Sequence, residues 1–190
     1  MKNADYFSPL NQKGDVVMIG DSITNGGDWS KMFPSISIVN RGISGDTAEG
    51  ILKRMYGIYS VNAKKAFILV GINDLARGQT VKYIFVNYSV IAKNLAERGV
   101  KVYIQSTLFC NGKLALINIL YYRQLLSNIN ALNSALEQLA KENGYKYINL
   151  NSKLSKNGEL NTCYTADGVH LNDLGYSVWK SEIEQYVTSQ

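Results

Sequence analysis

The stretch VVMIGDSITNGG, residues 16–27, decides how the rest of the chain is read. Val16, Val17, Met18 and Ile19 form an unbroken apolar run of the kind that parallel sheets bury on both faces. Gly20, Asp21 and Ser22 break that run at once, and Asn25, Gly26 and Gly27 prolong the break. A first strand is therefore expected to end by presenting the hydroxyl of Ser22. What that hydroxyl does depends on whether other segments bring it a base and hydrogen-bond donors.

Working outward, short β-rich runs alternate with longer segments of helical period, the pattern of a parallel sheet covered on both faces. Strands are expected near Asp15 to Ile19, Ser35 to Val39, Ala66 to Val70, Lys101 to Ser106 and Tyr145 to Leu150. Val81, Ile84, Tyr88, Ile91 and Leu95 advance by three or four residues and stop before Gly99, as a helix with one core-facing stripe does. Ile129, Leu132, Leu136 and Leu139 repeat the pattern before Gly144, and Tyr176, Trp179, Ile183 and Tyr186 repeat it near the end. In "SGDTAEGILKRM", Asp46 and Glu49 have the spacing of a capping box and predict a helix start just after Gly45. The apolar segment Leu108 to Tyr122 reads as a loop entering a helix, a buried stretch or the wall of an acyl pocket or partner surface. The fold class is α/β, a three-layer α/β/α sandwich on a five-stranded parallel sheet, with residues 1–190 as one domain.

Composition narrows the function classes. The 190 residues are 46% hydrophobic and 18% charged, which is globular, and a chain of this length buries a core without metal or disulfide staples. The net charge of +5 is spread along the chain with no basic block, so nucleic acid is not expected as a partner. Cys110 and Cys163 have no spacing motif and read as free thiols, and "MKNADYFSPL" lacks the apolar core of a secretory leader. The expected location is cytoplasmic, without a membrane span.

Four segments carry the chemistry. In parallel α/β sheets ligands bind beyond the carboxyl ends of the strands. Here those ends read "GDS", "NRGISGD", "GIND" and "STLF", and a further loop, "DGVHLND", precedes the last helix. His170 in that loop is the only histidine in the chain, and Asp167 lies three residues before it. A neutral hydroxyl attacks an ester slowly, so Ser22 needs a base, and His170 is the one imidazole available. Asp167 can accept the other ring N–H and fix the tautomer. The N–H groups of Ser22 and Gly45 and the side-chain amide of Asn73 form a candidate set of donors for the oxyanion. Gly42 competes with Gly45 for that place. Cys163, near His170 in sequence, has no motif to support it as a nucleophile. No cofactor is expected: a zinc-type cluster, a phosphate loop and the GxSxG elbow are all missing.

These residues resemble the SGNH hydrolase family, also called GDSL esterases and lipases. "IGDSIT" matches its Ser block, "NRGISGDT" its Gly block, "GIND" its Asn block and "DGVH" its Asp and His block, in order over residues 19 to 170. The usual GDSL reads GDSI here. The resemblance implies a flavodoxin-like sandwich, with Ser22 as nucleophile, His170 as base, Asp167 as its orienting acid, and Gly45 and Asn73 sharing the oxyanion hole with the Ser22 amide. Within the family, "GDSITNGGDW" and "NRGISGDT" look most like bacterial acetylhydrolases related to the platelet-activating-factor acetylhydrolase subunits. That implies hydrolysis of short acyl esters, above all acetyl, on a small molecule such as an acetylated sugar. An acyltransferase with the same residues, and a noncatalytic carbohydrate- or protein-binding module, are the alternatives.

Overall fold

The computed structural model describes residues 12–113, 115 and 118–189. The leader reading of residues 1–10, and Leu114, Leu116 and Ile117 of the apolar segment, lie outside them. Five parallel strands form the main sheet in the order β2-β1-β3-β4-β5: β1 (Val16–Gly20), β2 (Ile38–Gly42), β3 (Lys65–Leu69), β4 (Lys101–Gln105) and β5 (Lys146–Ile148). The helices along the chain are α1 (Ser22–Asn25), α2 (Trp29–Met32), α3 (Ala48–Lys53), α4 (Met55–Tyr59), α5 (Ile72–Ala76), α6 (Val81–Ala96), α7 (Ile119–Asn143), α8 (Asn151–Leu154) and α9 (Asp173–Thr188). The five-stranded α/β/α sandwich expected from the sequence is the fold observed.

The core follows the stripes. Every residue of β1 and β3 is buried, and Ile84, Tyr88, Ile91 and Leu95 of α6 and Ile129, Leu132 and Leu136 of α7 close over the sheet. Burying one such aliphatic side chain contributes about 1.5–3 kcal/mol. Trp179 of α9 meets Trp29 of α2 edge to face at 4.9 Å, and its indole N–H donates to Gln105 Oε1 at 2.6 Å. Trp29 in turn donates to the Thr24 carbonyl at 3.0 Å, so the packed indoles hold the short helix α1 from below.

Three local readings are corrected. The second strand starts at Ile38 rather than Ser35: the Ile36 N–H closes a turn on the Phe33 carbonyl around Pro34, and the chain reaches the ladder three residues later. The cap of α3 is Thr47, which accepts from Gly50 N–H at 3.0 Å. Asp46 instead pairs with Arg54 at 2.6 Å, and Glu49 pairs with Lys53 in place of closing a capping box. A small antiparallel hairpin, β6 (Ser155–Lys156) with β7 (Glu159–Leu160), went unread, although Asn157-Gly158 between them is a strong two-residue turn signal and both have positive φ. Both cysteines are free, Cys110 buried and Cys163 exposed.

The register fixes the geometry of the functional edge. Gly20 pairs with Gly42 on one side and with Leu69 on the other, so β1, β2 and β3 end at one level. The segments carrying Ser22, Gly45 and Asn73 leave the sheet from these adjacent ends.

Candidate active site

Ser22 opens α1 two residues beyond the strand end at Gly20. The turn is made by Asp21, whose Oδ1 accepts from Ile23 N–H at 3.0 Å. As a first-turn residue Ser22 has no intrahelical partner for its own N–H, and that group makes no hydrogen bond among the described residues. Tyr176 of α9 donates its hydroxyl to the Ile23 carbonyl at 2.7 Å, tying the last helix to the helix that carries Ser22.

His170 arrives on the loop before α9. Its Nε2 lies 2.9 Å from Ser22 Oγ and its Nδ1 lies 2.6 Å from Asp167 Oδ2. Asp167 Oδ1 meanwhile accepts from the backbone N–H groups of His170 at 2.8 Å and Val169 at 2.9 Å. Desolvation works against the Asp167 charge, but the hydrogen bonds from the His170 ring and these two amides outweigh it and hold the carboxyl down at about 2. An ionised Asp167 can only accept, so Nδ1 is the protonated nitrogen and Nε2 offers its lone pair to the serine hydroxyl. The loop is braced internally by Gly168 N–H on Thr165 Oγ1 and by Asn172 on the Cys163 carbonyl, and externally by Asn111 N–H on the Gly168 carbonyl. Cys163 takes part only as that acceptor.

The glycine turn is gripped by α5. Asn73 donates to the Asp46 carbonyl at 3.0 Å, Arg77 to the Gly45 carbonyl at 2.6 Å, and both oxygens of Asp74 accept from Ala48 N–H at 3.1 and 3.2 Å. Burial, more than these contacts can offset, raises the Asp74 carboxyl to about 6. Gly45 has φ +76 and its N–H makes no hydrogen bond among the described residues. Gly42 differs on both counts: its N–H is spent on Asn40 Oδ1 at 2.9 Å, and it sits tight against α1. Asn73 keeps a second amide hydrogen beyond the one on Asp46.

The structure thus brings Ser22, His170 and Asp167 into one hydrogen-bonded line, and Asn73, beyond β3, bonds the glycine turn beyond β2 through the Asp46 carbonyl, the two strand ends flanking β1 and Ser22. Asp74 and Arg77 escaped the sequence reading, although "INDLAR" puts Asn73 and Arg77 at i and i+4 on one helix face. The segments that follow Ser22 and His170 also wall a cleft of about 620 Å³, lined by Gly26, Asp28, Lys31, Leu171, Asp173 and Tyr176 among others.

Residues 18–178 match the model of the GDSL-like lipase/acylhydrolase family. The chain belongs to that family. The family's name describes lipases and acylhydrolases. The chain's fold superposes on a GDSL-like lipase from Bacteroides thetaiotaomicron with a TM-score of 0.79 and 27% identity, covering 94% of this chain and 88% of the other. A Streptococcus pneumoniae protein named for platelet activating factor gives a TM-score of 0.81 at 25% identity, over 92% of this chain and 84% of that one. Among curated sequences, the hydrolase is 27% identical over 184 residues to an N-acylneuraminate cytidylyltransferase of Streptococcus agalactiae, covering 96% of this chain and 41% of the relative. The chain therefore spans about two-fifths of the length of the curated relatives it matches.

Proposed function

We propose that this hydrolase removes a short acyl group, above all acetyl, from a carbohydrate or comparable small alcohol through an acyl-enzyme on Ser22. The observation that carries the reading is the unbroken line from Ser22 Oγ through the His170 ring to Asp167, at 2.9 and 2.6 Å. His170 takes the serine proton on Nε2 as Oγ bonds to the acyl carbon, and Asp167 stabilises the imidazolium that results. The N–H groups of Ser22 and Gly45 and the free amide hydrogen of Asn73 receive the oxyanion. The imidazolium then protonates the departing alcohol. In the second half His170 deprotonates a water, which attacks the acyl carbon and returns Ser22 to its hydroxyl form with release of the acid.

Two features favour a short acyl group on a polar alcohol. The site is shallow: the side chains of His170 and Asp167 are 49% and 55% exposed, so a long alkyl chain on Ser22 would lie in water. The adjoining cleft mixes Asp28, Lys31 and Asp173 with Leu171 and Tyr176, groups suited to hydroxyls and sugar C–H faces. The name of the curated relatives, N-acylneuraminate cytidylyltransferase, supports a sugar as the alcohol, its own N-acyl group being an amide and not the ester cleaved here. Exposure of the pair to solvent favours water as acceptor over an acyltransferase's alcohol.

The test compares wild type with Ser22→Ala on p-nitrophenyl acetate and on a panel of acetylated sugars and longer-chain esters. Acetate release is expected from wild type, falling with acyl length, and the variant should lose about 10³-fold or more in kcat. Equal rates in the two proteins would remove Ser22 from the mechanism.

A further inference from the structure

Asp21, immediately before Ser22, has no exposed surface. One oxygen caps α1 by accepting from Ile23 N–H; the other, Oδ2, is sealed from solvent and makes no hydrogen bond among the described residues. Capping needs one oxygen and no charge, and serine or asparagine caps as well as aspartate does. A buried acid with a bare oxygen is far costlier than either. The cap therefore accounts for half of this side chain and leaves the other half to be explained.

Its surroundings supply the explanation. The His170 imidazolium attracts the Asp21 charge, while Asp46 beside the glycine turn and Asp74 on α5 repel it. The Tyr176 phenol on α9 is pushed up to about 12, by burial first and by Asp21 second. The Arg54 guanidinium donates to the Gly20 and Arg41 carbonyls and is itself paired with Asp46. Of these neighbours, His170 is the one whose charge appears during the proposed reaction.

We propose that Asp21 is a positioning residue for the Ser22–His170 pair. Its capping oxygen fixes the turn that presents the serine, and its bare oxygen supplies a buried negative charge that stabilises the imidazolium formed when His170 takes the serine proton. This rests on the reading of Ser22 and His170 given above. Burial raises the Asp21 carboxyl to about 7, so the charge is present above neutral pH and is lost below it. Asp21 is fully buried while the His170 ring is half exposed, so solvent screens the attraction only from the imidazole's side.

The single histidine of the chain gives a readout independent of activity. In wild type, the His170 ring-proton resonances followed by NMR against pH give the midpoint of the imidazole's own titration with the Asp21 carboxyl in place. Asp21→Asn and Asp21→Ser keep a capping oxygen and remove the charge. Both should lower the His170 midpoint and the acid limb of kcat/KM by about half a unit or more, and lose about tenfold in kcat above neutrality. A His170 midpoint unmoved in both variants, or an unmoved acid limb with kcat lowered equally at every pH, would reduce Asp21 to a cap and overturn the proposal. Should Ser22→Ala prove as active as wild type, the proposed function fails, yet the NMR titration still decides whether the Asp21 charge reaches the imidazole.

Discussion

Gly42 and Gly45 lie three residues apart and resist substitution for different reasons. A Cβ on Gly42 would stand 2.3 Å from Asn25 N and 2.8 Å from its Cα, so the backbone of α1 must move to admit it. A Cβ on Gly45 meets only the Arg77 guanidinium at 3.4 Å, and the obstacle there is the left-handed φ of +76. Gly42→Ala is therefore expected to lower stability by about 2–3 kcal/mol, and Gly45→Ala by about 1 kcal/mol. Urea titrations of the two variants measure both. On the proposed mechanism Gly45→Ala also costs about tenfold in kcat, because strain in the turn misaims a donor. Activity that survives Gly45→Ala intact while Gly42→Ala unfolds nothing would reverse the assignment of the two glycines. The sequence singled out Gly45 by its position before "DT"; what distinguishes it in space is the uncommitted N–H, which no one-dimensional pattern displays.

At the level of elements, α5 holds the glycine turn while offering Asn73. Asp74→Ala leaves the Ala48 N–H buried without its acceptor, a loss of about 1–3 kcal/mol, and loosens the turn beside the proposed oxyanion site. We expect a lowered midpoint in thermal unfolding together with a fall in kcat larger than the rise in KM. The opposite split, a raised KM at unchanged kcat, would assign Asp74 to substrate binding. Much of this arrangement was legible: β1, β3 and β4 lie within a residue of their expected ends, because continuous apolar runs bounded by Gly, Asn or Ser mark buried strands. Ser35 to Val39 misled because its alternation imitates a strand, whereas Pro34 and the turn at Ile36 delay entry into the sheet. The Asp46 cap misled because a neighbour distant in sequence, Arg54, outcompetes a local helix start for the carboxylate. That Ser22, Asp167 and His170 come together was legible in the strand end before Ser22 and the three-residue spacing of the loop before α9; Asp74, Arg77 and the buried state of Asp21 depend on what packs over them.

For the molecule as a whole, two buried carboxyls set an unusual pH dependence. Asp21 at about 7 and Asp74 at about 6 bind protons more tightly in the folded chain than in the unfolded one, where carboxylates titrate near 4. Folding takes up protons across that window, so stability falls as pH rises from 4 through 7. Asp167 acts in the opposite sense, its contribution being lost only as pH falls from 4 through 2. Wild type should accordingly be more stable at pH 5 than at pH 8, by an amount on the order of a few kcal/mol. Asp21→Asn should remove most of the difference. Urea denaturation at the two pH values measures both, and a wild type that gains stability toward pH 8 would contradict the burial of these acids.

The Tyr176 hydroxyl on the Ile23 carbonyl spans 153 positions of sequence, and Ser22 meets His170 across 148. The strands that deliver the serine, β1 to β3, lie within residues 16–69, whereas the imidazole comes from the loop before α9. On the proposed mechanism the serine gains its base only once α9 docks on α1 and brings the loop of His170 with it.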